Sequence, residues 1–189
     1  LHAHAELAAD RFGPADLDRI APVAEPELSP DGEHLVYSVT TTNVEADKRQ
    51  SDLWRVRYDG RERVQLTHTP EHSESQPRWS PDGGSLAFLS DRGGEDAKTQ
   101  VWLMPTLGGE ARRVTELSEG VEDYAWSPDG KRLAVIAWDP VRPAGAPKPK
   151  HPPPIVTDRY GFKEDGTGYL DHRRRHLYVV DVATGKAEL

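Results

Sequence analysis

One turn, written three times, constrains this chain more than anything else in it. "WSPDG" occurs at residues 79–83 and 126–130, and "LSPDG" at 28–32, placing the serines at Ser29, Ser80 and Ser127, 51 and 47 residues apart. Ser suits the first position of a type I turn, because its hydroxyl bonds nearby backbone N–H groups. Pro presets φ at the second position, Asp fits the third, and Gly takes the positive φ that leads into the next strand. Each copy runs into an apolar segment: "LVYSV" from Leu35, "LAFLS" from Leu86 and "LAVIAW" from Leu133. A further apolar segment follows with an aromatic in it, Trp54, Trp102 or Tyr178, and then a glycine turn. Twice the unit closes on a short strand ending in Thr, at Thr67 and Thr115.

One repeat is therefore four short strands in a meander, at the period of a β-propeller blade. The expected fold is all-β, a propeller of four-stranded antiparallel blades at about 25–70, 71–119 and 120–189. Before them, within residues 1–24, "GPADLDRIAPV" reads as one short helix, since Pro14 suits a first helical turn and Leu17 and Ile20 share a side. Counting from Gly185 to the closing Thr runs past Leu189, so the third blade is expected to be incomplete, lacking most of its outer strand. Propellers close with about four to eight blades. The chain is accordingly expected to be a piece of a longer protein, whose remainder is its first partner. Trp54, Trp79, Trp102 and Trp126 recur at equivalent positions and are expected to pack the core.

Composition narrows the function classes. A formal net charge of −8 argues against a nucleic-acid binder, which would present a basic face. No apolar run is long enough to cross a membrane as a helix. Cysteine is absent, which removes disulfide frameworks and thiolate metal sites, fits a reducing compartment, and leads to an expected cytoplasmic location.

The third repeat departs from the other two. From the SPDG glycine to the second aromatic takes 22 residues in the first repeat, 19 in the second and 48 in the third. The insertion, about 139–176, opens with "DPVRPAGAPKPKHPPP", which holds seven of the sixteen prolines and favours extended geometry. It then reads as an extended arm turning at Asp165-Gly166. It carries eight Lys/Arg against five Asp/Glu on an otherwise acidic chain. Long loops on rigid folds commonly carry function, and a solvated loop or a packing arm is the competing reading. Arg173, Arg174 and Arg175 are candidates to bond a peptide carboxylate or carbonyls, because guanidinium forks suit such oxygens. They could equally pair with the chain's own acids. Arg159 and Tyr160 are the next candidates for contact with substrate. His172 and His176 are four apart, but three intervening cations disfavour a metal. Asp31, Asp82 and Asp129 supply one carboxylate per turn, too few for calcium.

The stretches "ADLDRIAPVAEPELSPDGEHLVYSV" and "DRYGFKEDGTGYLDHRRRHLYVVDVATG" resemble the N-terminal propeller of the prolyl oligopeptidase family of serine peptidases, and within it the acylaminoacyl-peptidase branch. The resemblance implies a seven- or eight-bladed propeller capping a C-terminal α/β-hydrolase domain with a Ser–Asp–His triad. It implies that the propeller admits short or unfolded peptides as a size-selecting lid, that an N-acylated amino acid is released, and that no cofactor is needed. Short peptides would then be the second partner, with homo-oligomerisation left open. The nucleophile elbow requires G-x-S-x-G. The nearest match, Gly83-Gly84-Ser85-Leu86-Ala87, fails at its last position and lies in a hairpin, so Ser85 reads as a turn residue and no catalytic residue is expected in this chain. The rival reading is a non-enzymatic TolB-like propeller acting as a protein-interaction module.

Overall fold

A computed structural model describes residues 13–45, 47–94, 97–140, 151, 160, 163–164, 168–169 and 173–189. The three repeats become three four-stranded antiparallel sheets. The first holds β1 (Val23–Leu28), β2 (His34–Asn43), β3 (Lys48–Arg57) and β4 (Val64–Gln65) in that order. The second holds β5 (Glu74–Trp79), β6 (Ser85–Ser90), β7 (Gln100–Pro105) and β8 (Arg112–Arg113). In the third, β9 (Asp123–Trp126) and β10 (Arg132–Trp138) are followed by the paired β11 (Lys163–Glu164) and β12 (Gly168–Tyr169), then by β13 (Arg175–Asp181) and β14 (Ala187–Glu188). The insertion leaves after β10 and returns at β13, which pair along their whole length, so it interrupts the meander without changing its order. The β11–β12 pair flanks the expected turn, whose residues lie outside the described ones.

The SPDG turns share one geometry. The Ser29 hydroxyl accepts from His34 N at 2.9 Å and donates to Asp31 Oδ1 at 2.5 Å, and that oxygen also accepts from Glu33 N at 3.0 Å. Ser80 with Asp82 and Ser127 with Asp129 repeat the arrangement. Gly32, Gly83 and Gly130 sit at φ 74, 71 and 68°, where a side chain would be strained. The turn is thus held by a carboxylate cap as well as by backbone preference.

Alternation along the strands gives each blade two apolar faces. Ala87, Leu89, Val101 and Leu103 of the second blade pack on Leu133, Val135 and Val180 of the third. Leu86, Phe88 and Met104, from the opposite face of the second blade, pack on Val36 and Leu53 of the first. The middle blade is covered on both sides, and its β6 is buried from Leu86 to Ser90. The two WSPDG tryptophans join neighbours: Trp79 Nε1 donates to Glu27 O at 3.3 Å, and Trp126 Nε1 to Arg78 O at 3.2 Å. These carbonyls belong to equivalent residues of successive blades. Trp79 is buried in the core, and Trp102 and Trp126 pack half-buried against it. Trp54 instead lies half-buried on the uncovered face of the first blade, with the Arg63 guanidinium 5.3 Å from its ring.

Two expectations change. The short helix is not borne out as an α-helix: Pro14–Arg19 form a six-residue 3-10 stretch. Leu17 and Ile20 are exposed, so no buried face sustains further turns, and Ile20 is already extended. The outer strand of the third blade is present as Ala187–Glu188, two residues long like β4 and β8. A threonine clasp holds the outer strands of the first two blades. In the first two blades Thr67 Oγ1 accepts from Leu53 N at 2.8 Å, and Thr115 Oγ1 from Val101 N at 2.9 Å. Leu177, at the matching position of β13, is 60% exposed.

Candidate functional site

Strand alternation sorts the arginine run at the foot of the insertion. Arg173 and Arg175 point to one side, where both guanidinium groups lie over the Trp138 ring, 5.9 and 4.7 Å from its centroid. Arg173 Nη1 pairs with Glu119 Oε2 at 3.0 Å, and Arg175 Nε with Glu122 Oε2 at 2.8 Å. On the other side His176 Nε2 lies 2.7 Å from Asp139 Oδ1. The backbone of Arg174 exchanges hydrogen bonds with Asp139, whose N donates to Arg174 O at 2.8 Å and whose Oδ2 accepts from Arg174 N at 3.0 Å. This is a clasp that shuts the base of the insertion onto the third blade. Two of the three arginines are engaged in it. The Arg174 side chain is exposed, with no partner among the described residues. Tyr160 is fully exposed, and Arg159 lies outside the described residues. Trp138, the platform of the clasp, was the one tryptophan outside the repeat pattern, and its cross-strand pairing with Arg175 was not readable before the register was known.

A second polar site forms where the first strands of the blades converge. Glu25 and Gln76, one repeat apart, both take positive φ (55 and 48°) at bulges in β1 and β5, each followed by a proline. Glu25 Oε2 accepts from Gln76 N at 2.7 Å and from the Ser38 hydroxyl at 3.1 Å. Glu27 Oε1 accepts from Trp79 N at 3.1 Å. Arg78 Nη2 donates to Asp123 Oδ1 at 3.1 Å, and its guanidinium lies 5.5 Å from the Tyr124 ring centroid. The Tyr124 hydroxyl donates to Gln76 O at 2.6 Å. Around these groups opens a cavity of about 380 Å³, lined by Glu25, Glu27, Gln76, Arg78 and Asp123 with Pro26 and Pro77. Gln76 Oε1 and Arg78 Nε are buried without partners among the described residues. Burial pushes the Glu27 carboxyl above its usual range, against the Trp79 N–H and the Arg78 charge. Burial likewise holds the Tyr124 phenol well above its ordinary value.

The sequence signal for this edge was present as "EPELSPDG" and "QPRWSPDG", two proline bulges at one repeat offset, but it reads as the lead-in to a turn. Asp31, Glu33 and His34 also gather ligand atoms within 4.8 Å of one another. They are exposed or half-buried, and Asp31 is already spent on the turn cap. Ser85 is the first residue of β6, its N–H bonded to Ser80 Oγ at 2.9 Å, which agrees with its reading as a hairpin residue.

Comparison with known proteins adds four findings. The TolB β-propeller domain family matches residues 20–142. An uncharacterized peptidase of Bacillus subtilis, YuxL, is 33% identical over 175 residues, covering 90% of this chain and 26% of the relative. The acylaminoacyl peptidase of Pyrococcus horikoshii superposes with a TM-score of 0.70 at 20% identity, over 90% of this chain and 25% of that one. A structure described as a putative TolB from Agrobacterium tumefaciens superposes at 0.57 and 22% identity, over 88% of this chain and 48% of that one. The chain thus spans about a quarter of the length of the two peptidases it matches.

Proposed function

The chain belongs to the TolB β-propeller domain family, and from that premise we propose that it is the N-terminal propeller segment of a serine peptidase of the acylaminoacyl-peptidase type. The observation that carries this reading is the 33% identity to a protein named a peptidase, sustained over 90% of the chain. The fold likeness to an acylaminoacyl peptidase agrees with it. In this reading the chemistry belongs to a hydrolase domain elsewhere in the protein. A serine hydroxyl is activated there by His, with Asp orienting the His and backbone N–H groups holding the oxyanion. The propeller serves as a size-selecting lid for short, N-acylated peptides in the cytoplasm. Arg174 is the side chain of the arginine run left to meet a peptide carboxylate or carbonyl.

The test is turnover of an acetyl-aminoacyl chromogenic substrate and of its free-amino analogue by the full-length protein. Preference for the acylated substrate is expected, and equal turnover would remove the acyl requirement while leaving a peptidase. Arg174→Ala should raise KM or change the length preference, whereas unchanged kinetics would reduce the run to a clasp. The likeness to a putative TolB supports a second reading, a propeller that binds a protein partner. A full-length protein that hydrolyses no peptide and does not react with a serine-directed phosphonate would favour it.

A further inference from the structure

Asp52 on β3 and Glu74 at the head of β5 stand at the seam between the first and second blades. They are 6% and 0% exposed. The Thr69 hydroxyl, in the segment joining the blades, donates to Glu74 Oε1 at 2.5 Å. Glu74 Oε1 also accepts from Ser90 Oγ at 3.1 Å and Arg92 Nη2 at 2.8 Å. Asp52 Oδ2 accepts from Gln50 Nε2 at 3.4 Å. The other two oxygens, Asp52 Oδ1 and Glu74 Oε2, are buried without partners among the described residues.

Charge does not balance in this arrangement. Arg92 is the cation in contact, fixed over the rings of Phe88 and Trp102 at 5.2 and 5.0 Å, and it serves Glu74. His68 acts on Asp52 from the strand side, and the His72–Asp91 pair at 3.4 Å lies beyond. Two buried carboxylates against the one guanidinium in contact leave a net negative charge in a buried site, which is costly. One proton cancels it and gives an idle oxygen something to donate. We propose that Asp52 carries a proton in the folded chain, beside Glu74 at the seam between the first two blades, and that loss of this proton loosens the seam as pH rises. Desolvation first, and the Glu74 charge second, push the Asp52 carboxyl above its ordinary range. Its folded-state pKa lies above the unfolded one. The protonated seam is therefore intact below the unfolded value and is weakened as pH climbs from there through the folded value.

The test is thermal unfolding of the chain and of Asp52→Asn from acid to mildly alkaline pH at constant ionic strength. Asn mimics the neutral acid, so the midpoint of the variant should gain on that of the wild type with rising pH, by roughly 3 °C or more once Asp52 has ionised. A difference that stays flat across the range would overturn the proposal. Should Asp52→Asn fail to fold, infrared spectroscopy of the wild type labelled with carboxyl-¹³C aspartate decides. A protonated aspartic C=O band should persist at pH values where ordinary aspartates have already lost theirs. Its absence would refute the proton. A rise in wild-type midpoint with added sodium or calcium at fixed ionic strength would assign the place to a metal cation and overturn it as well.

Discussion

The threonine clasp can be weighed by removing one hydroxyl. Thr115 is 2% exposed, and Val101, whose N–H it accepts at 2.9 Å, is fully buried. Thr115→Val keeps the side-chain volume and deletes the acceptor, leaving a buried N–H with no partner. Such a loss costs about 1–3 kcal/mol. The second bond of the hydroxyl, to Gln100 Oε1 at 2.7 Å, adds little, because that oxygen keeps Leu117 N at 3.1 Å. The expected loss is about 2 kcal/mol, roughly 4–8 °C in Tm for a chain of this size. Thr115→Ser is the control, since it retains the hydroxyl and gives up one methyl, about 0.8 kcal/mol. Differential scanning calorimetry of the two variants separates the effects. A Val variant as stable as the Ser variant would show that the hydroxyl does not hold the strand. Thr67→Val removes the matching bond to Leu53 N in the first blade and should add independently to Thr115→Val.

Two further perturbations bear on the repeat. The Ser127 hydroxyl, first, and the Lys131 N–H, second, hold the Asp129 carboxyl below its usual range. Ser127→Ala should let it rise when followed by NMR titration, and because a lowered folded-state pKa stabilises only above the unfolded value, the wild-type advantage should shrink as pH falls through the carboxylate range. Gly185 takes φ 72°, and a Cβ there would come 2.7 Å from Val114 O, whereas at Gly60, φ 83°, it would meet nothing within 4 Å. Gly185→Ala should therefore lower Tm distinctly more than Gly60→Ala, which carries only the backbone cost of about 1–2 kcal/mol.

The blades were legible because their information is local. Ser, Pro, Asp and Gly each have one physical task in the turn, and the apolar runs after them need only alternate. The expected packing of Trp79 and Trp126 followed from repetition alone; Trp79 is buried in the core and Trp126 packs half-buried against it. The sites were less legible because they are made between repeats. Glu25 meets Gln76, and Arg78 meets Asp123, 51 and 45 positions away in the chain. The arginine run shows the intermediate case. Its charge marked it, but which arginines are free depends on strand register, and only pairing with Trp138 shows that Arg173 and Arg175 are occupied. Trp54 shows the limit of repetition: it matches Trp102 in sequence, yet among the described residues no blade covers its face.

The two faces of a blade are unlike, and this gives the stack a polarity. Val23 and Leu28 remain bare at one end, 64 and 47% exposed, while Leu177 and Val179 are bare at the other, 60 and 41% exposed. Each end is shaped for the opposite kind. A two-fold axis would bring like surfaces together, so any growth that reuses the existing fit must proceed nose to tail, around a ring if the angle closes and along a fibre if it does not.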